Sequence, residues 1–219
     1  MNTDWTAQRQ GLIFILVVAL IYIISARPVE SVTDFIVADE QVFLSGGPIG
    51  IRALDLSKTG ELKMIASADV SGSARALALI NKRLYVASGL MNINVFDITD
   101  SGSFKPREAI KTETYPQDLA AYRNILYTAN GTNGLRIYKI SKDGQADEVK
   151  EARVDEKITR VFVSEDRLFT TGNKNILKIY DIKQDPSKPA LLGSYDVGDT
   201  IWDVQVIEQD AYIAANKLG

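Results

Sequence analysis

Apolar residues return along most of this chain in short runs, and the runs themselves repeat. An aromatic residue preceded by an apolar or small one stands at Phe43, Tyr85, Tyr127, Phe169 and Tyr212, a constant step of forty-two positions with the last one longer by one. Phe35, Leu77, Leu119, Val161 and Val204 keep the same steps upstream. Downstream, Leu56, Ile98, Ile140 and Ile182 hold that step as well, directly after Asp55, Asp97, Lys139 and Asp181. Three columns in one register mark a structural repeat.

Each unit divides into short β-like runs separated by turn residues. In the third unit these are DLAAY, ILYTA, a turn NGTNG, LRIYKI, a turn SKDG, and EVKEARV. The runs are too short and too β-branched for a helical solenoid. Units of about 40 to 45 residues with four strands each are the signature of propeller blades. In LRIYKI, Leu135 and Ile137 point one way while Tyr138 and Ile140 point the other. A strand apolar on both faces is expected between two neighbouring sheets. Asp55, Asp97 and Asp181, where that strand ends, are expected to accept backbone hydrogen bonds or to pack against the next unit. Single carboxylates on separate units do not make a calcium cage.

The pattern predicts an all-β propeller of four-stranded blades at residues 32–73, 74–115, 116–157 and 158–200, with a partial fifth at 201–219. The fifth unit is two strands short, and the first already owns four. An open array would leave blade faces and strand edges exposed. The expectation is therefore that this sequence is the N-terminal portion of a longer protein; a closed four-blade ring with a trailing hairpin is the alternative.

Residues 11–26 read GLIFILVVALIYIISA, without a charge, between Arg9 and Arg27. As a helix at about 1.5 Å per residue this run spans roughly 24 Å, against roughly 30 Å of bilayer hydrocarbon. Snorkelling arginines or local thinning can cover the difference. A transmembrane or signal-anchor helix is expected here, after a short tail (1–10) and before a linker (27–31). A cleaved signal peptide and a buried core helix remain open, although Ile24 is a poor small-residue position and Arg27-Pro28 a poor mature start. Arg9, the terminal amine and the large C-terminal part lean toward an inside N-terminus. That places the repeats on the extracytoplasmic side, at the cell surface or in the periplasm, or secreted if cleavage occurs.

The segments GIRALDLS, NINVFDITD, GLRIYKISKDG and ILKIYDIKQDPSKPALLGSYDVGDTIWDVQV together resemble the LVIVD-repeat family, over about residues 32–219. Lys139 departs from the pattern, standing where the strand-ending aspartate is expected. The resemblance implies propeller blades in exported or surface proteins of bacteria and archaea, generally without a catalytic activity. The tryptophan-aspartate propellers match less well, because Trp202-Asp203 falls in the first strand of a unit rather than at the end of the third.

Composition narrows the chemistry. Hydrophobic residues make up 46% and charged residues 24%, which suits an ordered chain. With 25 basic and 28 acidic residues there is no basic footprint for nucleic acid. The chain contains neither cysteine nor histidine. Disulfides, thiolate nucleophiles, Cys/His zinc sites and histidine acid–base catalysis are thereby excluded. No catalytic residue, metal site or cofactor is predicted.

In a propeller the innermost strands line a central channel whose mouth commonly binds ligands. The residues at that mouth would be Asp34, Arg75, Asp118, Arg160, Trp202 and Asp203. Such a set suits a polar or charged ligand, or a partner's loop; the alternative is solvated charges paired with each other. Asn130-Gly131-Thr132 matches a glycosylation sequon, but a tight NG turn favours a conformational role. The expected function is a non-catalytic binding or scaffold module, held to the membrane through residues 11–26, whose partners are proteins or extracellular polymers. The alternatives are a propeller hydrolase or lyase using carboxylate and arginine chemistry at the mouth, or an envelope-assembly scaffold docking partner strands on a blade edge.

Overall fold

A computed structural model describes residues 32–57, 63–172, 175–207 and 210–216. The expected N-terminal helix, its tail and its linker lie outside the described residues. Four antiparallel sheets and a hairpin follow one another along the chain. Sheet 1 runs β1 (Asp34–Ala38), β2 (Gln41–Ser45), β3 (Ile51–Asp55) and β4 (Lys63–Ala68). Sheet 2 runs β5 (Ala76–Ile80), β6 (Arg83–Ala87) and β7 (Asn92–Ile98), with β8 (Phe104–Pro106) and β9 (Ile110–Lys111) sharing its outer edge on β7. Sheet 3 runs β10 (Asp118–Tyr122), β11 (Ile125–Ala129), β12 (Leu135–Ile140) and β13 (Ala146–Glu148). Sheet 4 runs β14 (Ile158–Ser164), β15 (Arg167–Gly172), β16 (Ile176–Asp181) and β17 (Ala190–Asp196). The hairpin, sheet 5, pairs β18 (Ile201–Ile207) with β19 (Asp210–Ala215).

Register is set locally. The first two strands of each full sheet are joined by two-residue turns, so Ala38 faces Gln41, Ile80 faces Arg83, Tyr122 faces Ile125 and Ser164 faces Arg167. Asp39, Asn81, Lys82, Arg123 and Glu165 hold positive φ in these turns. That left-handed backbone matches the twist of the flanking strands.

The cores lie between sheets rather than within one. Phe43, Ile51 and Ala53 of sheet 1 meet Leu77, Leu84, Val86 and Phe96 of sheet 2. Tyr85, Ile93 and Val95 of sheet 2 meet Leu119, Leu126, Tyr138 and Ile140 of sheet 3. Tyr127, Leu135 and Ile137 of sheet 3 meet Val161, Leu168 and Tyr180 of sheet 4. Strand β12 thus sends Leu135 and Ile137 one way and Tyr138 and Ile140 the other, as its sequence predicts. A smaller cluster joins Phe169 and Leu177 to Ile201 and Val204. The innermost strands also touch in order: β1 with β5, β5 with β10, β10 with β14, and β14 with β18. The fold is all-β, and its four-stranded antiparallel sheets are consistent with propeller blades.

Two local details refine the expectation. The segment read as a strand, EVKEARV, is broken: β13 ends at Glu148 and a 3-10 turn covers Lys150–Ala152 before Leu135 and Val154 exchange backbone hydrogen bonds. The detour lets Arg153 reach Glu148 at 2.7 Å and Glu113 at 3.0 Å. Of the strand-ending aspartates, Asp55 and Asp181 each accept a backbone N–H two residues on, from Ser57 and Lys183, at 2.8 Å. Asp97 instead pairs with Arg83 at 2.9 Å and Arg107 at 3.0 Å. Lys139 is exposed, and the ladder passes it undisturbed: Ile140 N–H donates to Asn124 O at 2.8 Å, matching Ile98 to Lys82 O.

Candidate functional site

The innermost strands are sheet edges, so alternate N–H groups on them have no strand partner and need another acceptor. Aspartates supply it. Asp34 Oδ1 accepts from its neighbour Phe35 N–H at 2.7 Å, while Oδ2 accepts from Leu77 N–H of the next sheet, also at 2.7 Å. Asp118 repeats this two units later: Oδ1 takes Leu119 N–H at 3.0 Å and Oδ2 takes Val161 N–H of sheet 4 at 2.9 Å. Asp203 Oδ1 takes Val204 N–H at 2.9 Å. Three carboxylates therefore cap five inward N–H groups, because two of them serve two sheets each.

In the intervening sheets the same position holds Ala76 and Arg160. Arg160 Nη1 stands 4.0 Å from Asp118 Oδ1 and its charge also favours ionised Asp34. Asp34 in turn feels Asp203, and Asp118 feels Asp34, as like charges. An aspartate in every sheet would multiply that repulsion. Alternation with a guanidinium limits it, and sharing a carboxylate between two sheets keeps each of the five N–H groups capped.

Burial governs the chemistry of these groups. Asp118 is 5% exposed, and desolvation pushes its carboxyl up to about 7, against the opposing pull of the Val161 N–H and Arg160. Asp34, half-buried, is pushed up to about 6, again by desolvation, with the Leu77 and Phe35 N–H groups pulling down. Between about pH 4 and 7 the folded chain holds protons that the unfolded chain has released. The stability contributed by these two groups is accordingly greatest at the acid end and falls as pH rises through about 7. The melting temperature of wild type relative to Asp118→Asn should therefore drop between about pH 5 and pH 8. A flat difference would show that Asp118 does not hold its proton in the fold.

The six predicted mouth residues thus divide. Asp34, Asp118, Arg160 and Asp203 form one electrostatic group, in which Asp34 and Asp118 are committed to main-chain N–H groups. Arg75 is exposed, its guanidinium lying 3.2 Å from where a Cβ on Gly89 would stand. Trp202 is 58% exposed. The sequon asparagine is buried, and its side-chain amide donates to Thr128 O, Thr128 Oγ1 and Gly134 O at 2.8 to 3.2 Å. Its role is to shape the turn. Among the described residues no helix is long and apolar enough to cross a membrane, and no group of three acidic side chains is placed to hold a metal ion.

One ionic feature was not read from the sequence. Arg136, 8% exposed, pairs with Asp155 at 3.0 Å, and the adjacent Glu156 pairs with Lys178 at 2.6 Å. Two consecutive acids in the connection thereby reach β12 of sheet 3 and β16 of sheet 4. The recurrence of arginine after Gly50-Ile51 and, two units on, after Gly134-Leu135 was the available signal.

Residues 157–197 match the family model of the LVIVD repeat. That segment spans sheet 4, from the residue before β14 to the residue after β17. Comparison with curated protein sequences finds no match. Among solved structures, the crystal structure of the computationally designed Ika8 protein is similar at a TM-score of 0.62 and 14% identity. The similarity covers 84% of this chain and 55% of the designed one, so the chain spans little more than half of that relative's length. At this identity the likeness concerns the fold.

Proposed function

We propose that this chain is a non-catalytic binding or scaffold module, built as a β-propeller and held by residues 11–26 to the outer side of a membrane. The observation that carries the non-catalytic reading is the commitment of Asp34 and Asp118: each spends both carboxylate oxygens on backbone N–H groups. An acid–base or nucleophilic carboxylate needs an oxygen free for substrate. The exposed groups near the innermost strands, Arg75, Trp202 and Asp203, suit contact with a protein or a polymer by stacking and charge-assisted hydrogen bonds.

The apolar run supports the anchor, and its flanking charges support an outward-facing repeat region. Intact cells expressing the native protein should yield it in the membrane fraction, with the repeats cleaved by added protease. Recovery in the soluble fraction, protected from protease until lysis, would overturn the reading. A scaffold role has one specific observation in its favour. Strand β17 is the outer edge of sheet 4, with no strand paired beyond it among the described residues. Such an edge can accept a partner strand. Loss of partner capture on replacing Ser194 with proline, with capture unaffected by Trp202→Ala, would favour that second reading.

A further inference from the structure

We propose that the sheets are locked along their innermost strands in pairs, sheet 1 to sheet 2 and sheet 3 to sheet 4, and that, of the three seams among sheets 1 to 4, the one between sheets 2 and 3 is the built-in opening point. Two independent devices occur at the locked seams. The first is the shared carboxylate, Asp34 to Leu77 N–H and Asp118 to Val161 N–H. The second is an isolated two-way backbone bridge. Gly47 and Ala74 exchange hydrogen bonds of 2.9 Å across the seam between sheets 1 and 2. Gly131 and Ile158 exchange hydrogen bonds of 2.8 and 2.9 Å across the seam between sheets 3 and 4.

Between sheets 2 and 3 the sequence removes both. Ala76, whose side chain has no acceptor, stands in sheet 2 at the repeat position that Asp34 and Asp118 hold in sheets 1 and 3. The residue one repeat after Ala74 and one repeat before Ile158 is Pro116, which has no N–H to give, so the two-way bridge to Gly89 cannot form. What joins these sheets by hydrogen bond runs through the connecting segment, where Thr112 N–H donates to Met91 O at 3.1 Å and Thr114 Oγ1 donates to Asn130 Oδ1 at 2.9 Å. It also runs through the far end of the strands, where Arg83 Nη1 donates to Lys142 O at 3.0 Å. The apolar core between them remains, so the opening is a parting of the inner ends rather than a separation of the sheets.

The unit of construction is thus a pair of sheets, two repeats long. Asp34 and Asp118, Gly50 and Gly134, and Arg52 and Arg136 all recur at that double step, with Ala76, Asn92 and Asn94 between them. Sheets 3 and 4 carry a further lock in the Asp155 and Glu156 ion pairs. Local opening free energies in a protein differ between such cooperative units, and hydrogen exchange reads them directly.

The test is amide exchange by mass spectrometry on the full chain. In Asp118→Ala, exchange should quicken about tenfold or more in sheets 3 and 4 and change less than about twofold in sheets 1 and 2. Asp34→Ala should give the mirror image. Pro116→Ala, which supplies the missing donor, should slow exchange around Gly89 and residues 116–120, whereas Tyr115→Ala should not. Should Asp118→Ala fail to fold, Asp118→Asn and Pro116→Ala decide the matter. Loosening that spreads equally into sheet 2, or a Pro116→Ala variant exchanging like wild type, would overturn the pairing.

Discussion

Tyr127→Ala is expected to destabilise the fold by about 4 kcal/mol, since truncating a fully buried aromatic loses its transfer free energy and leaves a cavity. Tyr127 is 0% exposed, in the core between sheets 3 and 4, and its hydroxyl donates to Pro186 O at 2.6 Å across that seam. In a domain of this size such a loss lowers the melting temperature by about 10 °C. Tyr127→Phe keeps the ring and removes only the donor, so about 1 kcal/mol is expected. Thermal melts of the two variants separate packing from hydrogen bonding: equal losses would mean that the ring does not fill the seam.

Gly134→Ala should cost about 3 kcal/mol or more, from left-handed backbone strain together with a main-chain collision. Gly134 holds φ +73, and a Cβ there would sit 1.7 Å from Val154 O. That carbonyl is fixed by the Leu135 N–H, so it has no room to retreat without breaking the bridge. Gly50, with the same φ and a Cβ position 2.2 Å from Ala68 O, should behave alike in sheet 1. Gly193, with nothing within 4 Å of its Cβ position, is the control: Gly193→Ala should leave the melting temperature nearly unchanged. A Gly134→Ala variant as stable as Gly193→Ala would show that the turn is free to rearrange.

The fold was legible because apolar spacing is dictated by sheet stacking. Strand β12 has to satisfy a core on each side, so its alternation in the sequence is itself a record of two interfaces. Strand β13 was less legible. Val149 has the apolar, β-branched character of a strand residue, but the Arg153 ion pairs and the turn at Lys150–Ala152 outweigh that local preference. The repeat register puts Asp34, Asp118, Arg160 and Asp203 in one column, with Arg75 and Trp202 one position off it, but their roles were concealed. A carboxylate at the start of an edge strand reads as solvated, and only the next sheet reveals that Leu77 or Val161 needs its oxygen. The clue was an aspartate that returns in every second unit, with Ala76 and Arg160 between, among apolar columns that return in every one.

The shared carboxylate is the point on which the arrangement of the sheets turns, and NMR titration of the Asp118 side-chain carboxyl carbon tests it most directly. If Asp118 is buried and bridges two innermost strands, its signal titrates near pH 7, and the Val161 amide proton shifts with the same midpoint. A midpoint near about 4, the ordinary value for a solvated aspartate, with an unmoved Val161 amide, would contradict it.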